Sequence, residues 1–323
     1  MEGRKPNSSI DLVARLQAFG QEHKLVAEVK PSGQPRHVRS ALLSLRDYVG
    51  RQSGHVTPIL IAPYLSSRAQ ELCREFDVAY LDLEGNARLV FGTFFISRQS
   101  AKKPTVERRE LRSLFKPKSI QVLKVMLREP SLAWRVAELA AAAGVSLGHV
   151  SNVRNSLLDR EWAQLADGGI YLSAPDALLD AWRGAYESPA GQQQAFYTTL
   201  HGGGVEAALR ERPLEGGGKI ALASFSAAQW LAPFGRTGTH YFYADAPGAE
   251  LLQSRLKLSS TSKGENVVIT VLNESGLFLD TVEPAPGVVC TSPVQTYLDL
   301  SAAGERGREA ADHLRNARLQ WQG

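Results

Sequence analysis

AGVSLGHVSNVRNSLLDREWAQLADGGIYLSA, residues 143–174, reads as a turn, a helix and a two-stranded hairpin. Leu147, Val150, Val153 and Leu157 recur every three or four positions, the period of a helix with one apolar face. The opposite side then carries His149, Ser151, Asn152 and Asn155, with Arg154 nearby. Ser146 stands where a helix is capped, and Gly144 where the preceding turn would strain any side chain. Beyond the helix, Asp167-Gly168 separates two short strand patterns and predicts a tight turn between them.

Working upstream, KSIQVLKVMLREP predicts a helix stopped by Pro130, and RVAELAAAAG a second that ends at Gly144. Three helices followed by a hairpin are the layout of a winged helix-turn-helix, which we place at residues 118–188. Short side chains that both donate and accept hydrogen bonds suit base edges, and a helix N-terminus suits a phosphate. The expectation is that His149, Ser151, Asn152 and Asn155 approach the bases of double-stranded DNA, while Ser146, Arg154, Lys116 and Lys118 hold phosphates. The wing, with no Lys or Arg between Gln164 and Ser173, is a poor phosphate binder. Winged helices also dock proteins, which is the competing reading of the same pattern.

The chain has 323 residues, 43% of them hydrophobic, enough for two or three domains. No run of about 18 apolar residues marks a membrane span, and the N-terminus lacks a signal-peptide pattern, so a cytoplasmic protein with no membrane partner is expected. Two distant cysteines, Cys73 and Cys290, and seven histidines without a helical i, i+4 pair predict buried thiols, no metal site and no cofactor. Between Arg98 and Lys118 stand eight basic residues (Arg98, Lys102, Lys103, Arg108, Arg109, Arg112, Lys116, Lys118) against Glu107 and Glu110. That local surplus exceeds the whole chain's +4 and favours a polyanion, with a solvated linker at 107–117 as the bland alternative.

Residues 1–106 alternate helix and strand patterns, the mark of an α/β domain. Apolar spacing from Ile10 to Phe19 predicts a first helix over 8–20, capped by serines and stopped at Gly20. HKLVAEVK and TPILIAPYL predict strands, RHVRSALLSLRDYVG and SSRAQELCREF helices, and residues 77–98 two strands joined at Gly85-Asn86, where both residues tolerate left-handed backbone. A strand ending in Glu28-Val29-Lys30 resembles the E-x-K element of the restriction-endonuclease-like fold. Glu28 and Lys30 are thus the candidate catalytic residues if the domain is active. The further carboxylate such a site needs would have to come from Asp11 or Glu22, and the predicted first helix puts neither on a neighbouring strand.

Residues 189–323 open with a Gly/Gln/Pro-rich passage and continue with KIALAS, HYFYAD, ENVVITVL, LFLDTV and GVVCTS as strand patterns. This region resembles a nucleotidyltransferase fold, with Ala223-Ser224 where Gly-Ser would stand and Asp245 alone where two metal-binding aspartates are needed. The departure implies an inactive scaffold. Pro293, Gln295, Tyr297 and Asp299 read either as a binding motif or as packing beneath the last helix.

ILIAPYLSSRAQELCREFDVAYLDLEGNARL at 59–89 and TSPVQTYLDLSAAGERGREAADHLR at 291–315 resemble segments of the AbiEi-like antitoxin-type transcriptional regulators of bacterial abortive-infection type IV toxin–antitoxin systems. That resemblance implies an autorepressor encoded beside a nucleotidyltransferase-like toxin. Better-known members carry the winged helix at the N-terminus, whereas here an α/β domain precedes it. The sequence therefore leads to a multidomain α/β protein that is a DNA-binding regulator, expected to be a homodimer. Its rivals are a metal-dependent nuclease targeted by the winged helix and a module that binds the toxin.

Overall fold

The computed structural model describes all residues except 1–9, 19–20, 53, 93, 101–103, 201–202, 211–216, 236, 261–262 and 322–323. Lys102 and Lys103 of the basic stretch, and Ser8, Ser9, Phe19 and Gly20 of the expected first helix, lie outside the described residues. The fold is mixed α/β and divides into two compact units, residues 1–112 with 154–164, and residues 113–153 with 165–323.

In the first unit the elements run β1 (Leu12–Ala18), β2 (Gln21–Val29), α1 (Pro35–Gly50), β3 (Val56–Ala62), α2 (Ser67–Glu75), β4 (Ala79–Asp82), β5 (Ala87–Phe91), β6 (Phe94–Arg98) and α3 (Thr105–Leu114). The six strands form one sheet in chain order, with β2, β3 and β4 parallel and the outer pairs antiparallel. The parallel strands are joined by α1 and α2, whose Val38, Ala41, Leu42, Leu45, Ala69 and Leu72 pack on Val26, Leu60 and Tyr80 of the sheet. Each buried leucine there contributes roughly 1.5–3 kcal/mol. Ser66 caps α2 by accepting from the Ala69 N–H at 3.3 Å.

Three sequence expectations for this unit change. Residues 12–18 are a strand, not a helix, because Leu12 through Ala18 pair one to one with Ala27 through Gln21. The apolar spacing that suggested a helix leaves Leu12, Val13 and Leu16 exposed, so the ladder, not an apolar face, holds the segment. Residues 77–98 hold three strands, the extra turn being at Gly92 with φ 54°. The stretch read as a basic linker contains α3, which buries Leu111 and Leu114.

The second unit begins with α4 (Pro117–Arg128) and α5 (Val136–Ala143), after which Gly144 takes φ 64°, as its position requires. Next, α6 (Leu147–Asp159) and β7 (Ala163–Ala166) carry the chain from this unit into the first and back. β8 (Gly169–Leu172) completes the hairpin and bridges Trp134 through Ile170 in both directions, at 2.8 and 2.9 Å. Gly169 makes that bridge feasible: its φ is 134°, and a Cβ there would sit 2.1 Å from the Trp134 carbonyl oxygen. Gly169→Ala is expected to destabilise the protein by at least about 2 kcal/mol. Gly148→Ala, in open space within α6, is expected to add up to about 1 kcal/mol, and paired urea melts compare the two.

The remainder is α7 (Pro175–Gly184), β9 (Gly191–Tyr197), α8 (Gly204–Arg210), β10 (Ile220–Leu222), α9 (Ser224–Leu231), β11 (His240–Ala244), α10 (Ala246–Arg255), β12 (Ser259–Ser260), β13 (Val267–Leu272), β14 (Thr281–Ala285), β15 (Val288–Thr291), α11 (Pro293–Ser301) and α12 (Gly304–Arg318). Seven strands form a sheet in the order β12-β9-β13-β11-β10-β15-β14, with β10–β15 and β11–β13 parallel. The Gln-rich passage that carries no strand signal is β9, antiparallel to β13. LFLDTV divides into a short 3-10 helix, Ser275–Leu279, and the start of β14. α4 is tied to this part of the unit by Asp280, which accepts from Arg128 Nε at 2.8 Å and faces the buried Lys124 ammonium at 3.8 Å.

Cys73 and Cys290 are buried free thiols, pushed up to about 12 by burial. Neither is expected to react with Ellman's reagent at about pH 8 until the chain is unfolded. Because the folded values are raised, their contribution to stability is complete below the ordinary thiol value of about 8.5 and is lost as pH climbs from there towards 12.

Candidate nucleic-acid interface

The face of α6 follows from its burial pattern. Val150, Val153, Leu157 and Leu158 are inside, so Gly148, Asn152 and Asn155, spaced four and three apart, share an exposed stripe. Ser146 is exposed and caps the helix through the His149 N–H at 3.3 Å. Lys116 and Lys118 are exposed at the start of α4, whose first turn has no acidic residue to meet its N–H groups. The helix N-terminus and the two cations together make an electropositive helix end.

Other expected contacts are placed differently. His149 is half-buried, its Nε2 3.1 Å from the Ser119 hydroxyl on α4. Ser151 donates to the Leu147 carbonyl at 3.0 Å, and Arg154 is half-buried off the exposed stripe. The helix thus offers Asn152 and Asn155 outward and spends His149 and Ser151 on itself and α4. Its far end is anchored by charge: Arg160 is 6% exposed and donates to Glu107 at 3.2 and 3.3 Å and to Glu110 at 3.0 Å, while Arg39 clasps Glu161 with two bonds of 2.9 Å. Glu107 also accepts from Gln34 at 2.8 Å. No periodicity announces this cluster, since its members lie up to 122 residues apart.

Glu28 and Lys30 meet at 2.5 Å, with Glu28 buried and its Oε2 lacking a hydrogen-bond partner. Asp11 immediately precedes β1, and its Oδ2 accepts from the Val29 N–H at 2.7 Å. The strand that replaces the expected helix therefore brings Asp11 to the E-x-K end. One oxygen of Glu28 faces the ammonium and one of Asp11 is bonded to backbone. Among the described residues, moreover, no three His, Cys, Asp or Glu side chains group as metal ligands. Gly85 turns the chain with φ 91°, as expected, and Asn86 is buried against Asp82, donating at 2.7 Å.

At the C-terminal sheet, Asp245 caps α10, its Oδ1 accepting from the N–H groups of Gly248 and Lys219, both at 2.8 Å. A capping role accounts for this lone aspartate. Ser224, where the nucleotidyltransferase pattern has its second small residue, holds φ 48°, a strain of about 1–3 kcal/mol for a non-glycine residue. Asp299 Oδ1 accepts from Tyr186, from Tyr243 at 3.0 Å and from Gln295 at 3.0 Å. Burial pushes the Asp299 carboxyl up against the pull of those donors, and burial followed by the carboxylate's proximity pushes both tyrosines up. Tyr297 is core: it is fully buried, with its hydroxyl bonded to Arg183 at 3.0 Å and Arg315 at 3.2 Å. Of the four-residue motif, Gln295 and Asp299 thus form a polar cluster while Tyr297 packs. Tyr186 and Tyr243 join them only through the fold.

Residues 171–320, a little under half of the chain, match the model of a family described as transcriptional regulators, the AbiEi antitoxin of type IV toxin–antitoxin systems. The match supports a regulatory, antitoxin-type role. It runs from β8 through α12 and includes the 291–315 motif, but neither the 59–89 segment nor the helices before β8. No curated protein and no solved structure matches the chain. Among the described residues, no helix is long and apolar enough to cross a membrane.

Proposed function

We propose that the chain is a DNA-binding transcriptional regulator of antitoxin type, in which residues 118–188 act as a winged helix and α6 enters the major groove of an operator. Asn152 and Asn155 approach base edges; Ser146, Arg154, Lys116 and Lys118 hold phosphates. The observation that carries the reading is the exposed asparagine stripe, on a helix set by the left-handed Gly144 turn and preceded by the Lys116/Lys118 helix end. The family match of the following segment supports the same class. On this reading the N-terminal unit is a restriction-endonuclease-like scaffold and the C-terminal sheet a nucleotidyltransferase-like one, both without catalysis. The protein works as a homodimer on a repeated site, and a nucleotidyltransferase-like toxin is its protein partner.

Fluorescence anisotropy with the DNA upstream of its own gene, against a scrambled duplex at about 150 mM salt, tests this. Preference for the upstream duplex is the expected result, and equal weak binding to both would overturn sequence reading. Supercoiled plasmid with magnesium is expected to stay intact. Nicking that disappears in Glu28→Ala would replace the scaffold assignment by a nuclease.

A further inference from the structure

β6 closes one side of the six-stranded sheet, and among the described residues no strand pairs with its outer edge. Phe95 is 67% exposed and Ile96 47%, and as neighbours on a strand they point to opposite faces, so the edge is apolar on both sides. Proteins ordinarily blunt such an edge with lysine, inward charges, proline or a very short strand. The seven-stranded sheet does so: its outer strand β12 has two residues, and β14 at the other side carries Glu283 and Pro284. In β6, FFISR, Arg98 at the last position is the sole charge, and no proline interrupts the strand.

The register fixes which backbone groups face outward. Phe91 and Phe94 flank a two-residue turn that begins at Gly92 with φ 54°, so they exchange hydrogen bonds, and by alternation Leu89–Ile96 and Ala87–Arg98 do the same. The Ser100 N–H, which reaches Asn86 Oδ1 at 2.7 Å, keeps that alternation. Phe95 and Ser97 therefore turn their N–H and C=O groups away from β5.

Two copies of this edge fit one another. Antiparallel about a two-fold axis at Ile96, Phe95 of each copy stands opposite Ser97 of the other, and the outward groups satisfy each other in about four main-chain bonds. Ile96 then faces Ile96 in the closer, non-hydrogen-bonded pairing, and Arg98 faces Phe94, so no like charges are opposed. The opposite edge of the sheet lacks this complementarity. β1 is centred on Arg15, and pairing it with itself about that residue sets two arginines against each other.

We infer that β6 is a dimerisation edge: a second copy of the chain adds its own β6 antiparallel, centred on Ile96, and joins the two six-stranded sheets into one. This gives the homodimer of the regulator reading its surface, and it rests on that reading for the role of the dimer alone. A single strand pair buries less than the roughly 1,200 Å² at which stable complexes begin, so the dimer is reversible.

Sedimentation velocity of the full-length protein without DNA is expected to show monomer passing into dimer between about 1 and 100 μM, the range in which a reversible complex of this size is seen. Ile96→Lys opposes two ammonium groups at the axis, and Ser97→Pro removes an outward N–H while sparing the bonds to β5. Each is expected to weaken association by about ten-fold or more and to keep a cooperative melting curve, whereas Leu16→Lys on the exposed edge β1 leaves association unchanged. Directly opposed residues lie within disulfide reach, so Ile96→Cys is expected to cross-link two copies when treated with diamide, and Leu16→Cys is not. The native Cys73 and Cys290 are buried and give no background. A chain that stays monomeric throughout, association undiminished in both Ile96→Lys and Ser97→Pro, or an Ile96→Cys variant that does not cross-link would each overturn the inference. Operator preference is read separately by anisotropy: a dimer without it would sink the regulator reading and leave the β6 edge standing, and a monomer with it would do the reverse.

Discussion

Asn152→Ala is expected to weaken binding to the upstream duplex by about ten-fold or more while leaving binding to a scrambled duplex nearly unchanged. An asparagine that pairs with an adenine edge contributes roughly 1–3 kcal/mol of discrimination, and its removal is felt only where the sequence is read. The exposed position of Asn152 midway along α6 makes it the best placed of the residues considered. The Lys116→Ala/Lys118→Ala pair behaves in the opposite way. It lowers affinity for both duplexes and flattens the slope of log affinity against log salt by about 2, because two fewer phosphates are neutralised. Arg154→Ala is expected to flatten it by about 1. Ser151→Ala is the internal control. Its hydroxyl already bonds the Leu147 carbonyl, so affinity should change by less than about two-fold. Anisotropy titrations at four salt concentrations separate these effects. Unchanged binding in Asn152→Ala and Arg154→Ala together would remove α6 from the mechanism.

Arg160→Ala is expected to cost about 3–5 kcal/mol of stability, the usual effect of stripping one partner from a buried ion pair. The melting transition should fall by roughly 10 °C or more. Truncation leaves Glu107, 9% exposed, with the Gln34 amide as its remaining hydrogen-bond donor among the described residues, and it also removes the guanidinium lying 5.7 Å from the Trp162 ring. If the cost is the stranded charge, Arg160→Ala combined with Glu107→Gln should be clearly more stable than Arg160→Ala alone. A double variant no better than the single one would locate the loss in packing instead. Arg160 itself has an unpartnered Nε, so the cluster is held by its Nη2 bonds to the two glutamates and not by a complete set of partners.

Elements whose partners are close in sequence could be read directly. The apolar period of α6, the Ser146 cap, the Gly144 turn and the Asp167-Gly168 hairpin are each set within a few residues and stand as the sequence indicates, except that Leu147, the first residue of the expected apolar face, is 57% exposed. Where the deciding contact is distant, local pattern misled. Residues 12–18 carry a helical spacing, yet the ladder to Ala27 through Gln21 makes them a strand and thereby moves Asp11 next to Glu28 and Lys30. The Gln-rich β9 has no apolar alternation of its own because its pairing with β13 supplies what its side chains do not.

Side-chain roles divide in the same way. Composition and spacing singled out Asn152, Asn155, Lys116 and Lys118 as polar or basic residues flanking apolar helix faces, and the structure exposes all four. Only tertiary packing turned His149 towards Ser119, spent Asp245 on a helix cap and left Asp299 with one bonded and one bare oxygen. The sequence by itself determined the helices, their faces and the charge of the central segment, because those follow from periodicity and from residue chemistry. The tertiary structure alone decided which polar groups are already satisfied and which are not, because hydrogen bonding and burial are settled by whichever neighbours the fold brings together, near in sequence for Asp245 and 113 residues away for the Tyr186 hydroxyl on Asp299.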